Sequence, residues 1–274
     1  MNIDLKYISY LLQFADNSLI LGQRISEWTG HGLVLEQDIA MTNIALDHIG
    51  QARAFYQYAA EKLNQISIEE QKSYFKSPSI IENLGKLDED DLAFLRDAWD
   101  YKNLLLVEQP NGDIAYTITR SFFYDHFIVL AFEYILNHSK DLQLKAIAEK
   151  SIKESRYHRR WSSEWMIRLG DGTELSKKKM QKALEDLLPY VGEMFTHSKV
   201  EKDLLGNENL IDLESIEKQW KVNIKEVLDE ATLSLPEEMP WMQNGGKDGV
   251  HSEHLGYILA EMQFMQRAYP NMEW

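Results

Sequence analysis

The sequence predicts an all-α protein built around a four-helix bundle, with additional helices near its C-terminal end. Apolar residues recur at helical spacing through almost all of the 274 residues. Only 14 Gly and 6 Pro are present, too few for the turns of a many-stranded sheet. Hydrophobic residues make up 44% of the chain, which is enough to bury a substantial core. We therefore expect a single helical domain over residues 1–274.

Four long helices are expected in two pairs, on either side of a broken segment from Ser67 to Tyr101. Gly30 and Gly32 are expected to end the first helix. A turn at Pro110-Asn111-Gly112 precedes the third helix. The four predicted helices run from Asp4 to Glu27, from Glu36 to Leu63, from the N-cap Asp113 to Asn137, and from Asp141 to Leu169. Two helix pairs joined by one long crossover are typical of a four-helix bundle.

Further helices are predicted in the C-terminal third of the chain. They are expected near Leu175–Phe195, Leu213–Leu233 and Val250–Ala268. A loop containing Pro236, Pro240, Gly245 and Gly246 separates the last two.

Composition excludes several classes of function. The chain has no cysteine, so disulfides, thiolate metal sites and cysteine nucleophiles are absent. A net charge of -15 disfavours nucleic acid and anionic lipid as partners. No apolar stretch approaches the 18 or so residues of a membrane span. The residues from Met1 to Tyr7 do not resemble a secretory signal, so we expect a cytoplasmic protein.

Acidic residues occur in the middle of all four predicted long helices. They are Asp16, Asp47, Asp125 and Glu154. The first two are 31 residues apart and the last two are 29 apart, as expected if each acid lies at the same depth of a helical hairpin. Ferritin-like di-iron proteins place carboxylates at such positions, because iron takes hard oxygen ligands together with imidazole.

The imidazoles that complete such a site are misplaced. The positions three residues after Asp47 and Glu154 are Gly50 and Tyr157. His48 directly follows its acid and points about 100° away around the helix, whereas His158 can share the face of Glu154. The pattern therefore predicts a degenerate site without metal, cofactor or catalytic residue in this chain.

Buried carboxylates without metal need cationic or hydrogen-bonding partners. We therefore expect the four acids to converge in the interior and to be paired. The predicted partners are Arg24, Arg53, Arg120, Lys153 and Arg156. Two further histidines, His251 and His254, lie three residues apart near a predicted helix start, and we expect them at the surface or at an interface rather than on a metal.

Five segments spread along the chain together resemble the family of the C-type subunit of phenylacetyl-CoA epoxidase. The segments are Ser26–His31, Leu46–Arg53, Asn103–Gly112, Lys153–His158 and Gly249–Gln263. They follow one another in order over almost the whole length, so the resemblance is specific rather than local.

The resemblance implies a ferritin-like fold and a structural, non-catalytic role beside a catalytic A-type subunit that carries the di-iron centre. Further subunits and a reductase that draws on NADPH would complete a complex that epoxidises phenylacetyl-CoA with O2. Alone, the chain is expected to form a homo-oligomer. Two alternatives stay open: an independently active di-iron oxygenase using Asp16, Asp47, Asp125, Glu154 and His158, and a ferritin-type storage protein.

Overall fold

The protein is all-helical, as expected of a ferritin-like bundle, and the predicted fold class is confirmed. The computed structural model describes residues 3–236, 241–270 and 272, and no strand occurs among them. The helices are α1 (Ile3–Ser26), α2 (Leu35–Leu63), α3 (Ile68–Tyr74), α4 (Pro78–Ile81), α5 (Glu89–Phe94), α6 (Leu105–Glu108), α7 (Ile114–His138), α8 (Leu142–Gly170), α9 (Glu174–Leu187), α10 (Lys199–Asp203), α11 (Leu213–Glu230), α12 (Glu253–Met262) and α13 (Phe264–Ala268). None of these helices is long and apolar enough to cross a membrane.

The chain forms two compact units, and the prediction of a single domain stays a prediction. The first unit comprises Met1–Glu108, Ser198–Leu205 and Gly245–Trp274. Its centre is the antiparallel hairpin of α1 and α2, in which a Cβ on Gly22 would lie 3.2 Å from the Ala45 carbonyl oxygen. This close approach of two backbones favours a residue without a side chain.

The second unit comprises Gln109–His197 and Gly206–Asn244, and its centre is the hairpin of α7 and α8. Asp113 and Asp141 cap these two helices by accepting backbone N–H hydrogen bonds at 3.0 Å. Trp220 of α11 is buried and donates its indole N–H to the Phe123 carbonyl oxygen at 3.0 Å. The aromatic run of α7 therefore forms a core against α11 in this unit.

Boundaries of the four long helices agree with the sequence within about one residue, which is the usual uncertainty of helix ends. The broken segment from Ser67 to Tyr101 contains the three short helices α3–α5, and α6 follows it. The helix predicted over Leu213–Leu233 ends earlier, with α11 finishing at Glu230. The helix predicted over Val250–Ala268 begins later, with α12 starting at Glu253. The sequence pattern missed α10. Pro236 and Gly245 of the predicted loop are described, whereas Pro240 lies outside the described residues.

A glycine at the end of α8 should be indispensable for the second unit. A Cβ on Gly170 would lie 2.4 Å from the Ala231 carbonyl oxygen, a distance that requires the backbone to move. We expect Gly170→Ala to lower the free energy of unfolding by about 1–3 kcal/mol, as overpacked sites do. Gly256→Ala in α12 is the matched control, since nothing lies within 4 Å of its added Cβ. Urea unfolding of both variants tests this, and equal stability of the two would contradict it.

Candidate functional site

The inward face of α2 differs by one residue from the predicted face. His48 is fully buried and Gln51 is 3% exposed, whereas Asp47 is only half-buried and Gly50 is exposed. The buried residues of this helix include Met41, Ile44, Ala45, His48, Ala52 and Phe55. That spacing is the signal which could have placed His48 inside. Ile39 and Leu46 are apolar but lie off the buried face, and they are 52% and 60% exposed.

The buried face of α8 is likewise shifted by one residue from the predicted face. Ser155 and His158, three residues apart, are both fully buried, and Ser151 and Ser162 extend their stripe along the helix. Glu154 is half-buried and Tyr157 is 39% exposed. The prediction that all four acids lie in the interior is therefore wrong for Asp47 and Glu154. A shift of one residue turns a helix by about 100°, which is enough to move a side chain off the buried face.

Asp16 lies in the interior as predicted, with a partner that the sequence did not suggest. Its carboxylate forms an ion pair with Arg96, and both side chains have no exposed surface. Oδ1 also accepts the Tyr56 hydroxyl at 2.6 Å, and Oδ2 accepts the Lys102 backbone N–H at 2.7 Å. Both oxygens are thus engaged by donors. Arg96 was missed because it belongs to the broken central segment, which has no helical pattern to orient it.

Every N–H group of the Arg96 guanidinium likewise has a hydrogen-bond acceptor. Its remaining N–H groups donate to the Leu92 and Asp100 carbonyl oxygens and to the Tyr56 hydroxyl, at 2.5, 3.0 and 3.1 Å. Burial by itself lowers the pKa of Arg96, but the adjacent Asp16 carboxylate raises it well above its ordinary value. Burial and Asp16 both raise the pKa of Tyr56. The cluster therefore holds the Arg96 cation against the Asp16 carboxylate.

Four of the five cations predicted to neutralise the acids have partners other than those acids. Arg24 pairs with Glu27, Arg53 with Glu89, and Arg156 with Glu133. Arg120 is fully buried and donates to the Gln109 carbonyl oxygen and to Asn111 at 2.6 Å. Sequence spacing alone does not reveal which loop backbone or neighbouring helix a long side chain reaches.

The Asp16 carboxylate and the His48 imidazole lie at different positions along the α1–α2 hairpin. Asp16 is opposite Tyr56, whereas His48 is beside Gly22, whose added Cβ would lie 3.2 Å from the His48 Cβ. Tyr56 and His48 are eight residues apart along α2, which corresponds to about 12 Å of helix. Asp16 and His48 therefore do not converge on one ion.

Asp125 and His158 do converge in the second unit. A carboxylate oxygen of Asp125 and a ring nitrogen of His158 lie within 4.8 Å of one another. Asp125 is 1% exposed, and its Oδ2 accepts the Ser162 hydroxyl at 2.8 Å. Its Oδ1 has no hydrogen-bond partner in the described part of the chain. Burial raises the pKa of Asp125 to about 7, and His158, Ser162 and Arg159 only partly oppose this.

A second buried histidine lies next to Asp125 in sequence. His126 is 4% exposed, and its Nε2 lies 3.0 Å from the Ser163 hydroxyl. Burial and, secondarily, the charge of Arg159 lower the pKa of His126 to about 3. The ring is therefore neutral at ordinary pH, and its protonation would oppose folding only in acid.

The predicted ligand positions do not fit a di-iron centre. Asp16 is neutralised by Arg96, Gly50 has no side chain, and Tyr157 is largely on the surface. Glu154 is only half-buried, so Asp125 and His158 remain as the close pair within the second unit. Ferritin-like di-iron sites use a carboxylate from each of four helices and two imidazoles.

His251 is not at the surface, contrary to the prediction. Its side chain is 3% exposed and its Nδ1 lies 2.9 Å from the buried carboxylate of Glu108, while Nε2 lies 3.1 Å from the Tyr101 carbonyl oxygen. Glu108 also accepts the Ser252 backbone N–H at 2.7 Å. These contacts attach the start of α12 to α6 within the first unit, which is a structural role.

An all-helical chain whose long paired helices carry buried acids and imidazoles is consistent with a ferritin-like helical bundle. The family model for phenylacetic acid catabolic protein matches residues 3–274, so the chain belongs to that family. The family resemblance deduced from the five sequence segments is thereby confirmed. The chain is also 42% identical over 266 residues to the C-type subunit of 1,2-phenylacetyl-CoA epoxidase from Escherichia coli (strain K12), covering 97% of this chain and 98% of that protein.

Removing the cation of the buried pair should strongly destabilise the protein. Arg96→Gln leaves the Asp16 carboxylate desolvated without a counter-charge, and we expect the free energy of unfolding to fall by about 3–5 kcal/mol. Arg53→Gln is the matched control, because Arg53 pairs with Glu89 while 68% of its side chain is exposed. Exposed pairs contribute about 0–1 kcal/mol. Denaturant unfolding measures both, and a loss below about 1 kcal/mol for Arg96→Gln would contradict this expectation.

Asp125→Asn should stabilise the protein in a pH-dependent manner. The folded protein holds a proton on Asp125 up to about pH 7, whereas the unfolded chain releases it near 3.8. Ionised Asp125 therefore opposes folding most above pH 7, and this cost disappears as the pH falls toward 4. We expect the variant to gain on the order of a few kcal/mol at pH 8 and little at pH 4. Asp203→Asn, at a side chain 57% exposed, is the control that should show no such trend.

Proposed function

We propose that this chain is the C-type subunit of a multicomponent 1,2-phenylacetyl-CoA epoxidase, with a structural rather than catalytic role. The observation that carries the proposal is the Asp16–Arg96 pair, which places a buried guanidinium on a carboxylate that a di-iron centre would need. Identity of 42% over nearly the full length of the corresponding epoxidase subunit supports the same assignment.

A separate catalytic A-type subunit would then hold the di-iron centre and carry out epoxidation. A reductase would supply electrons from NADPH, and further subunits would complete the complex. This chain would support the fold and substrate entrance of the catalytic subunit. Without that partner, it would self-associate or aggregate through part of its uncovered apolar surface.

The alternative is an independently active di-iron oxygenase. The convergence of Asp125 with His158 in a buried setting is the observation in its favour. The raised pKa of Asp125 keeps its carboxyl group largely protonated near neutral pH, which weakens it as a ligand. We therefore rank this alternative second.

Reconstitution with single components omitted tests the proposal. Phenylacetyl-CoA turnover with reductase, NADPH and O2 should require both the catalytic subunit and this chain. Asp125→Asn in this chain should leave turnover of the assembled complex within about twofold of wild type, because the acid would not touch reacting atoms. Iron analysis of the purified chain should find little bound iron. Turnover or stoichiometric iron in this chain alone would overturn the structural role, and full turnover by the catalytic subunit without this chain would show that the chain is dispensable.

A further inference from the structure

The ring of His251 lies between two groups that accept hydrogen bonds. Nδ1 is 2.9 Å from Oε2 of Glu108, and Nε2 is 3.1 Å from the Tyr101 carbonyl oxygen. The His251 side chain is 3% exposed and that of Glu108 has no exposed surface. An ionised carboxylate and a carbonyl oxygen can only accept, whereas a neutral imidazole has one N–H and one lone pair. A neutral ring beside ionised Glu108 would therefore point its lone pair at one of the two oxygens.

One additional proton removes this conflict, and the surroundings of Glu108 place that proton on the ring. Oε1 of Glu108 accepts the Ser252 backbone N–H at 2.7 Å, and Oε2 accepts the Asn103 side-chain amide at 2.9 Å. Donors on both oxygens favour the ionised carboxylate. The carboxylate also lies at the N-terminal end of α12, where the helix dipole stabilises negative charge. His251 rather than Glu108 then carries the proton, as an imidazolium with two N–H donors.

The neighbouring charged groups leave Glu108 as the counter-ion of the ring. Those near the pair come from α1, from the segment before α6 and from the start of α12: Arg24, Lys102, Lys247, Asp248, Glu253 and His254. Arg24 pairs with Glu27 at 2.8 Å, and Lys247 pairs with Glu201 at 2.9 Å. Arg24 also donates to the Glu108 backbone carbonyl oxygen at 2.9 Å, which holds that residue in place. The carboxylate in contact with the His251 ring is that of Glu108.

Two sets of contacts attach α12 to the rest of the first unit. At its beginning, the N-cap Ser252 and the ring of His251 both contact the Glu108 carboxylate. At its end, Gln263 donates to the Ala93 and Arg96 carbonyl oxygens at 3.2 and 2.9 Å. Loss of one ring proton from His251 would remove a hydrogen bond at the beginning and set a lone pair against an oxygen, whereas the contacts of Gln263 hold no titratable group.

We propose that His251 is doubly protonated in the folded protein and that its contacts with Glu108 and Tyr101 form a proton-dependent latch on the start of α12. An ordinary imidazole releases its proton at about pH 6.5. Because the two acceptors hold the proton in the folded protein, the latch is complete below that pH and opens as the pH rises through the point of release. The latch is independent of the proposed role in the epoxidase.

Nuclear magnetic resonance of the full-length chain with 15N-labelled histidine tests the protonation directly. At about pH 7.5, where an ordinary imidazole is mostly neutral, the ring of His251 should show two N–H groups. Their signals are assigned by their disappearance in His251→Gln, and the exposed His31 is the reference ring in the same sample. A single N–H group on His251 in the wild-type protein would overturn the proposal.

Glu108→Gln should remove the second N–H group of His251, because a neutral amide does not stabilise an imidazolium. Glu253→Gln is the matched control, since Glu253 is an exposed glutamate in the first turn of α12. That variant should keep both N–H groups. Two N–H groups on His251 in folded Glu108→Gln would show that the carboxylate does not hold the proton, which contradicts the proposal. If Glu108→Gln does not fold, the wild-type spectrum still decides.

Amide hydrogen exchange of α12 tests whether the proton acts as a latch. At about pH 6, His251→Gln should increase the local opening of α12 by about tenfold or more over wild type, since a charge-assisted hydrogen bond is lost. Amides of α1 serve as the internal control and should exchange equally in the two proteins. The difference in α12 should shrink as the pH rises toward about 9, because the wild-type ring then loses its proton as well. Both proteins are compared at the same pH, which cancels the intrinsic pH dependence of exchange. Equal exchange of α12 in the two proteins at about pH 6 would overturn the latch.

Discussion

The buried ion pair between Asp16 and Arg96 is the constraint around which much of the first unit is arranged. Two charges without any solvent exposure are tolerated only when every lone pair and N–H group has a partner. The five guanidinium N–H groups and both carboxylate oxygens meet that condition, using α1, Tyr56 of α2 and the segment around Asp100. Gln263 then donates to the Arg96 carbonyl oxygen at 2.9 Å, which connects the C-terminal helices to the same point.

This pair also bears on the chemistry of the chain. A carboxylate that binds iron must offer its oxygens to the ion, whereas those of Asp16 are occupied by a guanidinium, a phenol and a backbone N–H. Asp125 differs, because its Oδ1 is unpartnered within the described residues and its pKa is raised to about 7 by burial. The Asp16 carboxylate is thus engaged by a permanent cation, whereas Asp125 is poised to take up a proton. Neither state resembles that of a metal-loaded carboxylate.

Two of the helices that bear the sequence motifs place their mid-helix acids away from the interior. Half-buried Asp47 and Glu154 stand beside fully buried His48 and His158 on α2 and α8. The one-residue shift leaves Gly50 on the outside of α2.

Local information was sufficient for the helical class, the four long helices and the caps at Asp113 and Asp141, because helix periodicity and capping depend on neighbours within a few residues. It also identified the family, because the five motifs are distributed over the whole chain. The partner of Asp16 could not be read from the sequence, since Arg96 is 80 residues away and comes from a segment without periodicity. Whether a mid-helix acid is buried was likewise decided by tertiary packing, because a rotation of one residue exchanges the buried side chain for its neighbour.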